Sequence, residues 1–171
     1  MHVREALPSE SDDIRALLTA AYGQYAAAVP VTALFERYRA DLIDLDAAAG
    51  RAVTLVAEAG GELVGTARFY PAGKVEEVPL PDDWAWVRAV GVRPGRRGGG
   101  TARLLMADCA ARAAAAGSAV VSLHTMAFMT DAVRLYERLG YRRELSMDVD
   151  VAAHYGVGGE MVALGYRLDL S

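Results

Sequence analysis

The 171-residue chain has no asparagine, one lysine (Lys74), one glutamine (Gln24) and one cysteine (Cys109). Each scarcity excludes something. Without asparagine there can be no N-glycosylation sequon. A lone cysteine can neither close an internal disulfide nor build a cysteine metal cluster, and it suits a reducing, cytoplasmic setting. The three histidines, His2, His124 and His154, have no close metal-ligand spacing, so a zinc enzyme is not expected. Long apolar runs are missing too: Arg103, Asp108 and Arg112 interrupt the alanine-rich stretch, which is too short to span a bilayer. The opening Met1-His2-Val3-Arg4-Glu5 lacks a basic region followed by an apolar one, so it does not read as a signal peptide. There is no basic excess. Lysine plus arginine total 18 against 22 aspartate plus glutamate, a net charge of −4 that argues against a general nucleic-acid binder.

What is present suits one globular domain over residues 1–171, with 53% hydrophobic and 23% charged residues. A short strand at Val3–Ala6 precedes a helix announced by Ser9 and Asp12 in capping-box spacing. Ile14, Leu17, Leu18, Ala21, Tyr22 and Tyr25 recur at helical intervals, and Leu34, Tyr38, Leu42 and Leu45 mark a second helix. Val53–Glu58 and Glu62–Tyr70 alternate as strands around Ala59-Gly60-Gly61, a hairpin signal. Pro71–Asp83, rich in proline and carboxylates, reads as a loop. Trp84–Val92 is the next strand, then an Arg/Gly turn and a helix carrying Leu105, Met106, Cys109 and Ala113 on one face, stopped by Gly117. Ala119–His124, a helix over Thr130–Leu139, a strand Tyr141–Met147, a loop Val151–Glu160 and a strand Met161–Leu168 complete the chain. The expected fold is α/β (α+β): a mixed, mostly antiparallel sheet flanked by helices.

The segment richest in chemistry is Val92-Arg93-Pro94-Gly95-Arg96-Arg97-Gly98-Gly99-Gly100-Thr101-Ala102, between a strand and a helix. Three glycines let backbone N–H groups converge on an anion, and the helix start adds unpaired donors and a positive dipole end. Arg93, Arg96 and Arg97 place positive charge on the same loop. A flexible surface turn would have the same composition. No Gly-Lys-Ser/Thr follows and the spacing fails GxGxxG, so neither a P-loop nor a dinucleotide fingerprint is present.

Arg97-Gly98-Gly99-Gly100-Thr101-Ala102 after Val92-Arg93-Pro94 resembles the signature turn of the GCN5-related N-acetyltransferases (GNAT). Ala132-Val133-Arg134-Leu135-Tyr136-Glu137-Arg138-Leu139-Gly140-Tyr141 is similar to that family's Ala-x-x-x-Tyr-Glu-x-x-Gly-Phe block. The resemblance implies transfer of an acyl group, usually acetyl, from acetyl-CoA to an amine, on a small molecule or a protein. It implies that Arg97, Gly98, Gly99, Gly100, Thr101 and Ala102 hold the cofactor pyrophosphate and that Val90 and Val92 pair through their main chain with the pantetheine arm. It also makes Tyr136 the catalytic hydrogen-bond or proton donor to the leaving thiolate, with no metal involved. Tyr136 equally fits the apolar face of its helix with Ala132, Leu135 and Leu139.

Two positions depart from the family. Trp86 stands where many relatives have a glutamate base, leaving Glu76, Glu77, Asp82, Asp83 and His124 as substitutes. Each loop acid reads as solvated surface and His124 as a hydrogen-bonded strand-end residue. Met129 takes the place of a frequent asparagine and cannot supply its amide bonds. These departures keep a non-catalytic acyl-CoA-binding or sensing domain as an alternative; acyl transfer to a hydroxyl is a further one, and a homodimer is compatible with each.

Overall fold

In the segment Val53–Ala59, Leu55 and Ala57 on one side and Val56 on the other are fully buried. A strand buried on both faces must lie between two layers of helix. The computed structural model, which describes residues 1–170, has this arrangement. Strand β1 (His2–Glu5) leads to α1 (Ser11–Gly23) and α2 (Thr32–Ile43), then β2 (Val53–Ala59), β3 (Glu62–Tyr70) and β4 (Trp84–Val92). Helix α3 (Thr101–Ala115), β5 (Val120–Met126), α4 (Thr130–Arg138), β6 (Arg142–Arg143), β7 (Val149–Asp150), α5 (Val151–Tyr155) and β8 (Val162–Asp169) follow. The sheet order is β1-β2-β3-β4-β5-β8-β6, with β7 also paired to β8. The pairings are antiparallel except that of β4 with β5, which α3 connects. The sheet is therefore mixed and mostly antiparallel, as the sequence leads one to expect.

Ile14, Leu18, Leu34, Phe35 and Leu42 of α1 and α2 pack with Val56 and Ala89 on one face. Leu105, Met106 and Cys109 of α3, with Tyr136 of α4, pack with Leu55, Ala57, Val87 and Leu123 on the other. Gly65 lets α3 approach: a Cβ there would lie 2.6 Å from Thr101 Cγ2.

Two irregularities open the middle of the sheet. The parallel ladder joins Trp84–Val87 to Val120–Leu123 and goes no further, although β4 continues against β3 to Val92 and β5 continues against β8 to Met126. The two halves diverge there and leave a cleft. In the same place β4 carries an extra residue relative to β3, since Thr66 pairs with Gly91 but Arg68 with Arg88. Ala89, inside this bulge, has φ +53°, a left-handed conformation costing an alanine roughly 1 kcal/mol. Bulges re-aim side chains, and this one sits at the cleft.

Three local expectations are corrected. The capping box is not Ser9–Asp12: Glu10 accepts the Leu7 N–H at 2.7 Å, Pro8–Glu10 forms a 3-10 turn, and α1 starts at Ser11. Tyr141–Met147 is not one strand, because after Arg143 the chain turns through Leu145–Met147 and the Asp148 carboxylate takes the Gly165 N–H that a continuous strand would have bonded. Val151–Glu160 is not only loop: Asp150 caps α5 by accepting the Ala153 N–H at 3.0 Å.

Candidate active site

The turn after β4 is shaped by glycine at two of its three positions. Gly98 and Gly100 have φ +81° and +80°, whereas Gly99 has no positive φ. Gly100 is the N-cap of α3 and supplies no side chain, so the first N–H groups of this 15-residue helix keep no side-chain partner. That leaves donors and a positive dipole end available to an anion. The arginines divide. Arg93 turns away, donating to the Leu63 carbonyl at 3.0 Å and pairing with Glu62 at 3.2 Å, and Arg96 also pairs with Glu62. Among the described residues Arg97 bonds only neutral groups, the Gln24 side chain at 2.7 Å and the Ala21 carbonyl at 3.1 Å, and pairs with no carboxylate.

This turn stands at the mouth of a cleft of about 550 Å³ that also reaches Val90–Val92, Thr125, Met129 and Tyr136. Gly98, Gly100, Thr101, Ala102 and Arg97 line it; Gly99 does not. Arg103, Arg134 and Arg138 add positive charge to its walls. The Val90 carbonyl, at the bulge, accepts the Tyr22 hydroxyl at 3.0 Å. Tyr136 is buried, its ring 5.9 Å from that of Tyr141; the residue lines the cleft, and its hydroxyl has no hydrogen-bond partner among the described residues. Burial pushes its pKa well above that of an ordinary tyrosine, so it is a neutral donor.

Behind the cleft lies a second, smaller pocket of about 70 Å³ between α2, α5 and β4. Tyr22, Tyr38 and His124 line both spaces and form the throat between them. In the second pocket Arg88 donates to Asp41 Oδ2, and the Tyr155 hydroxyl donates to the same oxygen at 2.5 Å. Burial opposes ionisation of Asp41, but the charge and hydrogen bond of Arg88, with that of Tyr155, hold its pKa below the ordinary value.

The model of the acetyltransferase (GNAT) family matches residues 12–141, about three-quarters of the chain. The chain belongs to the GNAT family. Its fold is similar to that of a GNAT-family acetyltransferase from Desulfovibrio desulfuricans, at 18% identity over 99% of this chain and 98% of that one with TM-score 0.70. A GNAT acetyltransferase from Brucella melitensis, in complex with acetyl-CoA, is 26% identical over 82% of each chain with TM-score 0.58. An acetyltransferase from Salmonella typhimurium with acetyl-CoA is 20% identical over 100% of this chain and 94% of that one, TM-score 0.65. No curated protein matches.

The GNAT cleft brings Tyr136 together with Val90, Val92 and the turn across 46 residues of sequence. His124 is a hydrogen-bonded strand residue: Trp86 Nε1 donates to its Nδ1 at 3.0 Å, and its Nε2 lies 2.7 Å from the Met147 carbonyl. Indole N–H is only a donor, so Nδ1 is the acceptor and Nε2 carries the proton. Its lone pair is already engaged, and burial lowers its pKa. Of the loop acids, Glu77 alone reaches a pocket wall, where it accepts the Tyr70 hydroxyl at 3.0 Å and pairs with Arg51. Glu76 is held 3.5 Å from Arg51, and Asp82 and Asp83 face solvent. Met129 is buried at the start of α4, with its sulfur 3.8 Å from Thr125 Oγ1. Cys109 lies in the core, its thiol pushed up to about 12 by burial. Among the described residues no group of three or more His, Cys, Asp or Glu is placed to hold a metal ion, and no helix is long and apolar enough to cross a membrane.

Sequence reasoning missed Arg103, Arg134 and Arg138 in the cleft and Asp41 and Arg88 behind it. Arg134 and Arg138 are four apart beside Tyr136, a spacing that could have revealed them. Nothing local distinguished Asp41 from Glu36, the other acid of its helix.

Proposed function

We propose that this protein transfers an acetyl group from acetyl-CoA directly to a primary amine, in the cytoplasm. The observation that carries this reading is the continuity of one cleft from the uncapped start of α3 to the unpartnered Tyr136 hydroxyl. The residues fit the cosubstrate: Gly98, Gly100, Thr101 and Ala102 with Arg97 would hold its pyrophosphate, and Val90 and Val92 its pantetheine arm. Gly99 shapes the turn from outside the cleft wall. Acetyl-CoA supplies an acetyl thioester already activated for acyl transfer.

The chain's own task is positional. Tyr136, held neutral, donates a hydrogen bond toward a departing sulfur. A thiol of pKa near 8.5 needs no full proton from a tyrosine, so donation is enough. The amine poses the larger demand. At a pKa near 10.4, making it neutral at pH 7 costs roughly 4.6 kcal/mol. The acceptor nitrogen of His124 is already bonded and Asp41 is held below the ordinary carboxylate pKa, so amine deprotonation falls to solvent and the rate should rise with pH. The core position of Cys109 gives no support to a covalent acetyl-enzyme.

The test is thiol release from acetyl-CoA against a panel of primary amines. Release with at least one amine is expected, with an N-acetylated product. Tight acetyl-CoA binding with no release for any amine or alcohol would favour a sensing domain instead.

A further inference from the structure

The second pocket is lined by one guanidinium, Arg88, and by the carboxylates of Asp41 and Glu77, and a second guanidinium, Arg68, is buried beside Arg88. Arg68 and Arg88 are register partners on β3 and β4 and point to the same side of the sheet. Arg68 is only 2% exposed; its Nη2 donates to the Leu42 carbonyl at 2.8 Å and its Nε has no partner. No carboxylate forms an ion pair with it among the described residues. Asp41 therefore answers two buried guanidinium groups, while Glu77 is occupied by Arg51. Arg88 lies with its guanidinium carbon 5.6 Å from the centre of the Trp86 ring and gives only Nη2 to Asp41, leaving its other donors without an acceptor among the described residues. Tyr155 braces the same Asp41 oxygen, so the guanidinium is held in place.

A fixed guanidinium with spare donors is built to take a carboxylate in a forked geometry. The space of about 70 Å³ corresponds to roughly five waters at ~10–15 Å³ each, enough for a few heavy atoms. From this geometry we propose that Arg88 is the specificity-determining residue and that the acceptor is a small amine that also carries a carboxylate, an amino-acid-like molecule with its carboxylate on Arg88 and its amine turned to the throat at Tyr22 and His124. The inference rests on the acetyl-transfer reading for its chemistry but concerns the binding of the acceptor.

Two measurements on the full chain loaded with coenzyme A separate the claims. Calorimetry with glycine, β-alanine, L-alanine and L-threonine, each beside its carboxamide and beside spermidine, reads the pocket; thiol release from acetyl-CoA with the same compounds reads the reaction. At least one acid should bind about tenfold or more tighter than its carboxamide and than spermidine. Arg88→Gln should bring the acid-to-amide ratio near one, mainly through KM, and Arg88→Lys should reduce it if the glutamine variant does not fold. Asp41→Asn, which frees the guanidinium, should keep or enlarge the ratio; a purely structural ion pair would make both variants lose it. The proposal is overturned if no acid binds, if amides or spermidine bind as well, or if Arg88→Gln keeps the ratio. Release with spermidine but not with acids overturns this pocket assignment and leaves acetyl transfer standing. Binding of acids without release supports the pocket and counts against acetyl transfer.

Discussion

Tyr136 and His124 show how burial, the largest influence on each, sorts two titratable side chains of one cleft. Burial keeps Tyr136 protonated, and its hydroxyl has no other duty, so Tyr136→Phe should preserve the fold and slow turnover by about tenfold or more. Steady-state rates at saturating acceptor, with melting temperature as the control, check this. His124 is buried neutral between a donor and a carbonyl, and its pKa lies below the ordinary 6.5. The unfolded chain then binds the extra proton, so this contribution to stability is complete above about pH 6.5 and declines as the pH falls below it. The shifted carboxylates, including Asp41 and Glu10, act only near and below pH 4, outside that window. Melting temperature should fall by roughly 2–4 °C for each kcal/mol lost between pH 6.5 and 5. His124→Gln, which cannot titrate but can make both hydrogen bonds, should lack this fall. Tyr136 was legible because a local block surrounds it; the state of His124 was not, because Trp86 and Met147 lie 38 and 23 residues away.

At the scale of elements, helix–strand contact depends on small residues. Gly65→Val would drive a side chain into Thr101 at the start of α3 and should cost about 1–3 kcal/mol, read by denaturant unfolding. It should also weaken acetyl-CoA binding, since the same helix end borders the cleft. Strands β2–β5, helices α1–α4 and the hairpin were legible because apolar periodicity and glycine punctuation are local signals. The break after Arg143 and the short α5 were not. Asp148 and Asp150 decide them through hydrogen bonds to Gly165 and Ala153, which read in sequence only as charged residues. The divergence of β4 and β5 was equally hidden: it depends on where a parallel ladder stops and on Ala89 entering a conformation that alanine disfavours.

Across the whole molecule, a net charge of −4 conceals a cleft lined by Arg96, Arg97, Arg103, Arg134 and Arg138, drawn from two segments by the crossover through α3 and the return through α4. Composition argues against a general polyanion binder, yet the fold gathers these guanidinium groups along one cleft. Above all, this cleft is proposed to bind acetyl-CoA through the turn before α3. Calorimetric titration of acetyl-CoA tests it most directly, with Gly100→Glu beside wild type. One-to-one binding by wild type and none by Gly100→Glu, with the variant still folded by circular dichroism, is the predicted result. Equal affinity for the two proteins would contradict it.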